Sequence, residues 1–380
     1  MKPLLASITA LISLALVVST ARAEGEWEIT PQSRAALAHG LEWLAQNQGP
    51  EGNWQSNDLG LVSMGALAFL ADGHTPGRGK YGRNVELALN YVLSHAKPSG
   101  LLNIADAQRD MYNHGLSTFV LGQAYGMTND QRISSVLERA LKLIANTQCK
   151  DGGWDYRAGT QDHGHDLSLA VMQAKALRSA VDSGLEVSPE VIRLAIRDVR
   201  EHYSSRGGAQ NEADQEHEPG QFTYMKNGGQ PSIAMAAAGV VCLQEFGQYD
   251  DWRIPKNMQV LTKDIKDKIK PGAQYNRDGK SAFDSYTLYY IGQAMYQVGG
   301  TSWKELYPLV RDNLIATQVR MPGDPHLDGV WHDTMRVSGQ PGDLYATSVS
   351  CFILAIPNRY LPILQEGKIK QYQSEGQATK

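Results

Sequence analysis

Residues 140–177 read ALKLIANTQCKDGGWDYRAGTQDHGHDLSLAVMQAKAL. Leu141, Ile144 and Ala145 give a first helix an apolar face, a Gly-rich turn closes at Trp154, a polar loop follows, and a more uniformly apolar helix opens at Asp166. This is one complete helical hairpin, and searching outward finds the same unit six times. Ser33–Gln48 pairs with Asp58–Ala71 through GPEGNWQSN, and Asn84–Ala96 pairs with Met111–Tyr125. Beyond the quoted repeat, Pro189–Tyr203 pairs with Pro231–Phe246, Met258–Ile269 with Asp284–Val298, and Trp303–Gln318 with Asp343–Ile356. The second helices begin about every 55 residues, a period that suits a hairpin with its loops.

The two helices of a pair differ in character. First helices carry charge on one face, as in LERALKLI from Leu137 and VIRLAIRD from Val191, the mark of an amphipathic helix with one wet side. Second helices, such as GLVSMGALAFL from Gly60 and IAMAAAGVVCL from Ile233, are apolar nearly all round and rich in Gly and Ala, which suits burial and close backbone approach. Second helices inside and first helices outside make an all-α (α/α)6 toroid, a double ring of six hairpins. Closing the ring hides the apolar ends that an open stack would expose.

Composition sets the boundaries. With 42% hydrophobic and 20% charged residues, a large core is available and global disorder is excluded. Lys2, the apolar run Leu4–Val18 and Ala21-Arg22-Ala23 form an export signal over residues 1–23, cleaved after Ala23. Residues 24–366 then make one toroid domain, secreted or periplasmic, with a polar tail at 367–380 and no later membrane span. Loss of Lys2 and Arg22 takes the formal charge from −4 to −6, a balance that excludes nucleic acid as a partner. Cys149, Cys242 and Cys351 are an odd number for an exported chain, and the latter two lie in apolar helices, so buried small hydrophobes are expected rather than a disulfide framework.

Connectors locate the function. Links from second to first helices are short, whereas links from first to second helices include Ser204–Gln230 and Val319–Gly342 and carry His163, His165, His326 and His332. All the latter emerge on one rim of the ring, which makes that mouth the expected ligand face. The acidic run Gly207–Gly220 is either a lid over it or a plain surface loop.

Two turn segments carry a family signature. GLEWLAQNQGPEGNW over 40–54 and ALKLIANTQCKDGGW over 140–154, with a stretched third copy at Gln318…Gly329-Val-Trp331, resemble the QW motif of the squalene/hopene (terpene) cyclase and protein prenyltransferase β-subunit superfamily. The resemblance covers roughly Pro31 to Pro362. It implies the toroid, with each Gln bonding loop backbone at an outer-helix end and each Trp lying against a neighbouring hairpin. It also implies lipid chemistry, but the Asp-x-Asp-Asp acid of the cyclases falls on His163, Gly164, His165 and Asp166, where only the last position is acidic. The zinc ligands of the prenyltransferases fall on Asp284, Tyr286 and Ala346, so that zinc site is not expected, and no partner α-subunit is expected either.

Asp162-His163-Gly164-His165-Asp166 is the densest polar constellation. Two imidazoles flanked by acids suit proton handling, an Asp-oriented imidazole or a divalent metal, while Asp166 taken alone suits a helix N-cap. Asp162, His163, His165 and Asp166 are the candidate catalytic group. Asp58, Asp284 and Asp343 at second-helix starts, His114 near another, and Tyr286 are candidate ligand-binding residues, although a capping Asp is stabilising by about 1 kcal/mol without any further role. No metal site is assigned and no cofactor is identified. The features fit an exported toroid that binds, and as an isomerase or transferase would transform, a polyprenyl or triterpenoid lipid. Two alternatives are a non-catalytic toroid recognising a protein or envelope component, and a glycan-active α/α barrel, which needs two carboxylates facing each other across the mouth.

Overall fold

The computed structural model describes residues 27–209, 211–226, 228–272, 278–333 and 342–365. The export signal and the polar tail read from the sequence lie outside them. The architecture is the (α/α)6 toroid. The outer ring is α1 (Pro31–Gln46), α3 (Gly82–Ser94), α5 (Gln131–Thr147), α7 (Pro189–Glu201), α9 (Arg253–Lys268) and α11 (Gly300–Thr317). The inner ring is α2 (Leu59–Ala71), α4 (Asp110–Thr128), α6 (Leu167–Asp182), α8 (Ile233–Glu245), α10 (Ser285–Val298) and α12 (Gly342–Ala355). Each inner helix packs on the next, and α12 packs back on α2, which closes the ring.

Small residues make the inner ring tight. At Gly122 of α4 any side chain would run into Ser179 of α6, so the two backbones touch where the sequence offers nothing larger. The inner faces bury almost every residue of α2 and α8. Cys149, Cys242 and Cys351 are free and buried. No helix among the described residues is long and apolar enough to cross a membrane.

Among the helix starts that differ from the sequence expectation, two have clear local reasons. α1 begins at Pro31 rather than Ser33, because Thr30 and Ser33 cap each other across the first turn and Pro31 sits where its missing N–H costs nothing. α9 begins at Arg253, five residues before Met258, because Pro255 also falls inside a first turn.

The QW segments work as clips between hairpins. Gln48 donates to the carbonyls of Gly52 (3.2 Å) and Asn84 in α3 (2.8 Å). Gln148 donates to Gly152 and to Val191 in α7 (both 2.9 Å). Gln318 donates to Gly329 (3.0 Å) and to Ala36 in α1 (2.9 Å), so the third clip joins the last repeat to the first. The indole N–H groups of Trp54, Trp154 and Trp331 donate to Leu44, Ile144 and Leu314 at 2.8–2.9 Å.

Each clip rests on a glycine with positive φ. A Cβ at Gly52, Gly152 or Gly329 would lie 2.5–2.6 Å from the carbonyl carbon of Leu87, Leu194 or His39 on the next outer helix. The same contact recurs at Gly100, 2.6 Å from the carbonyl carbon of Arg139 on α5, although that repeat has no Gln at the end of its outer helix and no Trp. There His114 substitutes, its Nδ1 accepting from Leu102 N–H (3.2 Å) and its Nε2 lying 3.1 Å from the Ala140 carbonyl.

The long link after α7 forms a ribbon. Tyr203–Ser205 (β1) pairs antiparallel with Gly220–Phe222 (β2), Tyr203 opposite Phe222. The excursion between them holds a short helix, Glu212–His217, tied to the outer ring by Glu212–Arg253 (2.7 Å) and by Lys256 donating to the Glu218 carbonyl (2.7 Å). These ties hold the candidate lid against α9, and the part of the link that reaches the inner-helix starts is Thr223–Lys226.

Candidate functional site

The inner-helix N-termini meet at one end of the ring. Arg109, just before α4, pairs with Asp58 at the start of α2 (2.9 Å). Tyr112 of α4 hydrogen-bonds Ser168 of α6. The Tyr224 carbonyl accepts from Leu167 N–H in the first turn of α6 (3.0 Å), and the Ser232 hydroxyl caps α8 by accepting from Met235 N–H (3.3 Å).

Local physics puts acids on this rim. Asp58, Asp166 and Asp284 each use one carboxylate oxygen as an N-cap, accepting from Leu61 (3.0 Å), Ser168 (3.1 Å) and Thr287 (2.9 Å) N–H. Capping occupies one oxygen, and the second finds a different partner in each case, Arg109 for Asp58. For Asp166 that second oxygen accepts from the Tyr156 hydroxyl (2.5 Å) and lies 3.3 Å from His165 Nδ1. For Asp284 it accepts from Thr287 Oγ1 at 2.8 Å.

A set of tyrosines surrounds the acids. Burial, then the Asp166 charge, pushes the Tyr112 phenol well above the ordinary tyrosine range. Tyr156 is raised by burial and by its hydrogen bond to Asp166. Tyr224 is raised by burial, with the charges of Asp166 and Asp284 adding to the rise. Burial and then Asp284 and Asp333 raise Tyr345. Tyr112, Tyr156, Tyr224 and Tyr286 are half-buried, so each keeps part of its ring accessible, while the Tyr286 hydroxyl itself is buried and those of Tyr112 and Tyr156 are held by Ser168 and Asp166.

The five-residue constellation is divided by the fold. His165 and Asp166 face Tyr156, whose ring meets His165 edge-on at 4.6 Å between centroids. Asp162 turns outward to Lys150 (2.6 Å) with its side chain 71% exposed, and His163 is 85% exposed, 3.6 Å from Asp151. His114 is fully buried between hairpins, both ring nitrogens occupied by backbone, and burial lowers its pKa to about 4. That corrects its assignment as a ligand contact. Asp58 is committed to Arg109, and Asp343 to His332 Nδ1 at 2.8 Å. Tyr286 stands edge-to-face with Tyr290 at the mouth. Sequence reasoning missed Tyr112, Tyr156 and Tyr224; only Tyr156, two residues after a clip tryptophan, had a local signal. Among the described residues no three His, Cys, Asp or Glu side chains converge in a metal-holding arrangement.

Deeper in, the inner ring is filled by Phe119, Tyr289 and Phe352 and by a buried ion pair, Lys175 of α6 to Glu245 of α8 at 3.3 Å. Gln293 of α10 accepts from the same ammonium, which also lies 4.4 Å from the Phe119 ring centroid. A paired charge therefore stands where a lipid ligand calls for apolar wall.

No protein-family model and no curated protein matches the chain. Solved structures do. An inactive variant of the α-1,6-mannanase GH76A of Salegentibacter sp. HEL1_6, with two aspartates changed to asparagine and α-1,6-mannotriose bound, has a TM-score of 0.54 at 12% identity and covers 90% of this chain and 100% of its own. A variant with alanine at those two positions, bound to α-1,6-mannotetrose, gives 0.55 at 12% identity, with the same coverage. The mannanase itself gives 0.55 at 11%, covering 87% of this chain and 98% of its own. At this identity the likeness is one of fold. It overturns the terpene-cyclase and prenyltransferase resemblance drawn from the QW segments. Those segments report a way of clipping helical hairpins together, which toroids of different chemistry can share.

Proposed function

We propose that the protein is a glycan-active toroid that takes a neutral oligosaccharide at the inner-helix mouth, with Asp166 and Asp284 as its carboxylate pair. The observation that carries this is the pair of N-caps: Asp166 and Asp284 stand at the starts of α6 and α10, on either side of α8, and the Tyr224 carbonyl is bonded to Leu167 N–H next to Asp166. Glycoside cleavage needs one carboxyl to protonate the leaving oxygen and a second to attack the sugar or activate water. The half-buried phenols around the pair are suited to ring stacking and to bonding sugar hydroxyls. The fold likeness to α-1,6-mannanases supports the same reading, and the export-signal pattern read from residues 1–23 agrees with action outside the cytoplasm.

The test uses the mature chain with α-1,6-mannotriose and a panel of neutral oligosaccharides, following binding heat and release of reducing ends. Binding with Kd below about 1 mM is expected, with release abolished in Asp166→Asn and Asp284→Asn. Asparagine also caps helices, so these variants keep the fold. Absence of both binding and release across the panel sinks the proposal.

A further inference from the structure

The segment Thr223–Lys226 enters the mouth and is fastened along its length. Thr223 N–H donates to the His202 carbonyl (3.0 Å), and the Tyr224 carbonyl accepts from Leu167 N–H (3.0 Å). At its end the Lys226 ammonium meets three carboxylates: Asp198 at 2.6 Å, Asp151 at 2.8 Å and Glu201 at 3.0 Å. Its side chain is 17% exposed and that of Asp198 only 2%. The ammonium donates a hydrogen bond to Asp151 and is ion-paired with Asp198 and Glu201, so one cation is shared among three anions.

The three acids come from different parts of the fold. Asp198 and Glu201 lie on α7, and Asp151 lies in the third-repeat clip. Asp151 also accepts from Gly153 N–H (3.1 Å) and Gly164 N–H (2.9 Å), which ties down the loop leading into His165 and Asp166. Lys226 therefore links α7, the Asp166 loop and the Tyr224 segment. Without it, three carboxylates would face one another in a half-buried space, and their repulsion would open the junction. Burial already holds the Asp198 carboxyl up at about 6 in spite of the lysine.

We propose that Lys226 is the positioning residue of the mouth: by filling the space among Asp151, Asp198 and Glu201 it holds Thr223–Lys226 so that the Tyr224 hydroxyl meets a sugar hydroxyl beside Asp166 and Asp284. The clamp itself follows from the ion contacts, and the sugar contact rests on the glycan reading above.

Hydrogen exchange and calorimetry on the full mature chain separate the two. In Lys226→Met, exchange at the Leu167 amide and across residues 222–226 rises about tenfold or more while α2, α4 and α10 stay protected. Lys226→Arg restores protection. Glu201→Gln, which exchanges one ion pair at the half-exposed edge of the cluster for a neutral acceptor, gives a smaller rise of the same sign and serves if Lys226→Met does not fold. For the trisaccharide probe named above, affinity falls about tenfold in both Lys226→Met and Tyr224→Phe, and Tyr224→Phe leaves exchange unchanged. Unchanged exchange in Lys226→Met and Glu201→Gln overturns the clamp. A loosened segment with undiminished affinity overturns the positioning role. If the wild type binds no sugar, the glycan reading falls, and the exchange arm still decides the clamp.

Discussion

Gly152→Ala should be far more damaging than its one methyl group suggests. The glycine has φ of +105°, and an added Cβ would lie 2.6 Å from the Leu194 carbonyl carbon, inside any tolerable contact. Leu194 belongs to α7, which Gln148 holds through the Val191 carbonyl at 2.9 Å, so relief requires moving a helix rather than a side chain. Holding alanine in this backbone conformation costs about 1 kcal/mol or more, and straining or losing the two Gln148 hydrogen bonds costs about 1 kcal/mol each. Displacing a packed helix adds about 1–3 kcal/mol. The sum is about 4–6 kcal/mol, a large share of the stability of an ordinary domain.

Gly184→Ala is the matched control. Its φ is +77° and its Cβ would meet nothing within 4 Å, so only the conformational cost of about 1 kcal/mol remains. Equilibrium urea unfolding, followed by circular dichroism and tryptophan fluorescence together, measures both. Gln148→Ala alone should cost about 2 kcal/mol, yet add little on top of Gly152→Ala, because the same contact has already been lost. Equal destabilisation by Gly152→Ala and Gly184→Ala, or full additivity of Gly152→Ala with Gln148→Ala, would show that the clip does not work as described.

Two further outcomes follow from buried charges. Burial lowers His114 from 6.5 to about 4, so between those values the unfolded chain binds a proton that the folded chain refuses. Stability is therefore full above pH 6.5 and falls as pH drops toward 4, by about 3 kcal/mol in the limit; the stability difference between wild type and His114→Gln should shrink over that window, and a constant difference from pH 7.5 to 4.5 counts against it. Lys175→Met leaves Glu245 buried without its cation and should cost about 3–5 kcal/mol, most of it recovered by adding Glu245→Gln. If Lys175→Met costs under about 1 kcal/mol in urea unfolding, the buried pair is not as drawn.

The toroid was legible in the residues themselves, because its determinants act over short distances. The apolar spacing of each hairpin, the Asp caps at Asp58, Asp166 and Asp284, and the Gly-rich turns before Trp54 and Trp154 are interactions within a few residues, so they leave periodic marks. The clip in the second repeat was not legible, since His114 takes a role written elsewhere as Gln and Trp, and only the approach of Gly100 to Arg139 reveals it. The site divides in the same way. Helix capping determines that Asp166 and Asp284 stand on the rim, but nothing local says that Asp162 turns to Lys150 while His165 turns to Tyr156. Nor does spacing show that Lys226 will find Asp151, 75 residues away. Those directions are set by which distant charge or ring is close once the ring has closed, and only the tertiary structure decides them.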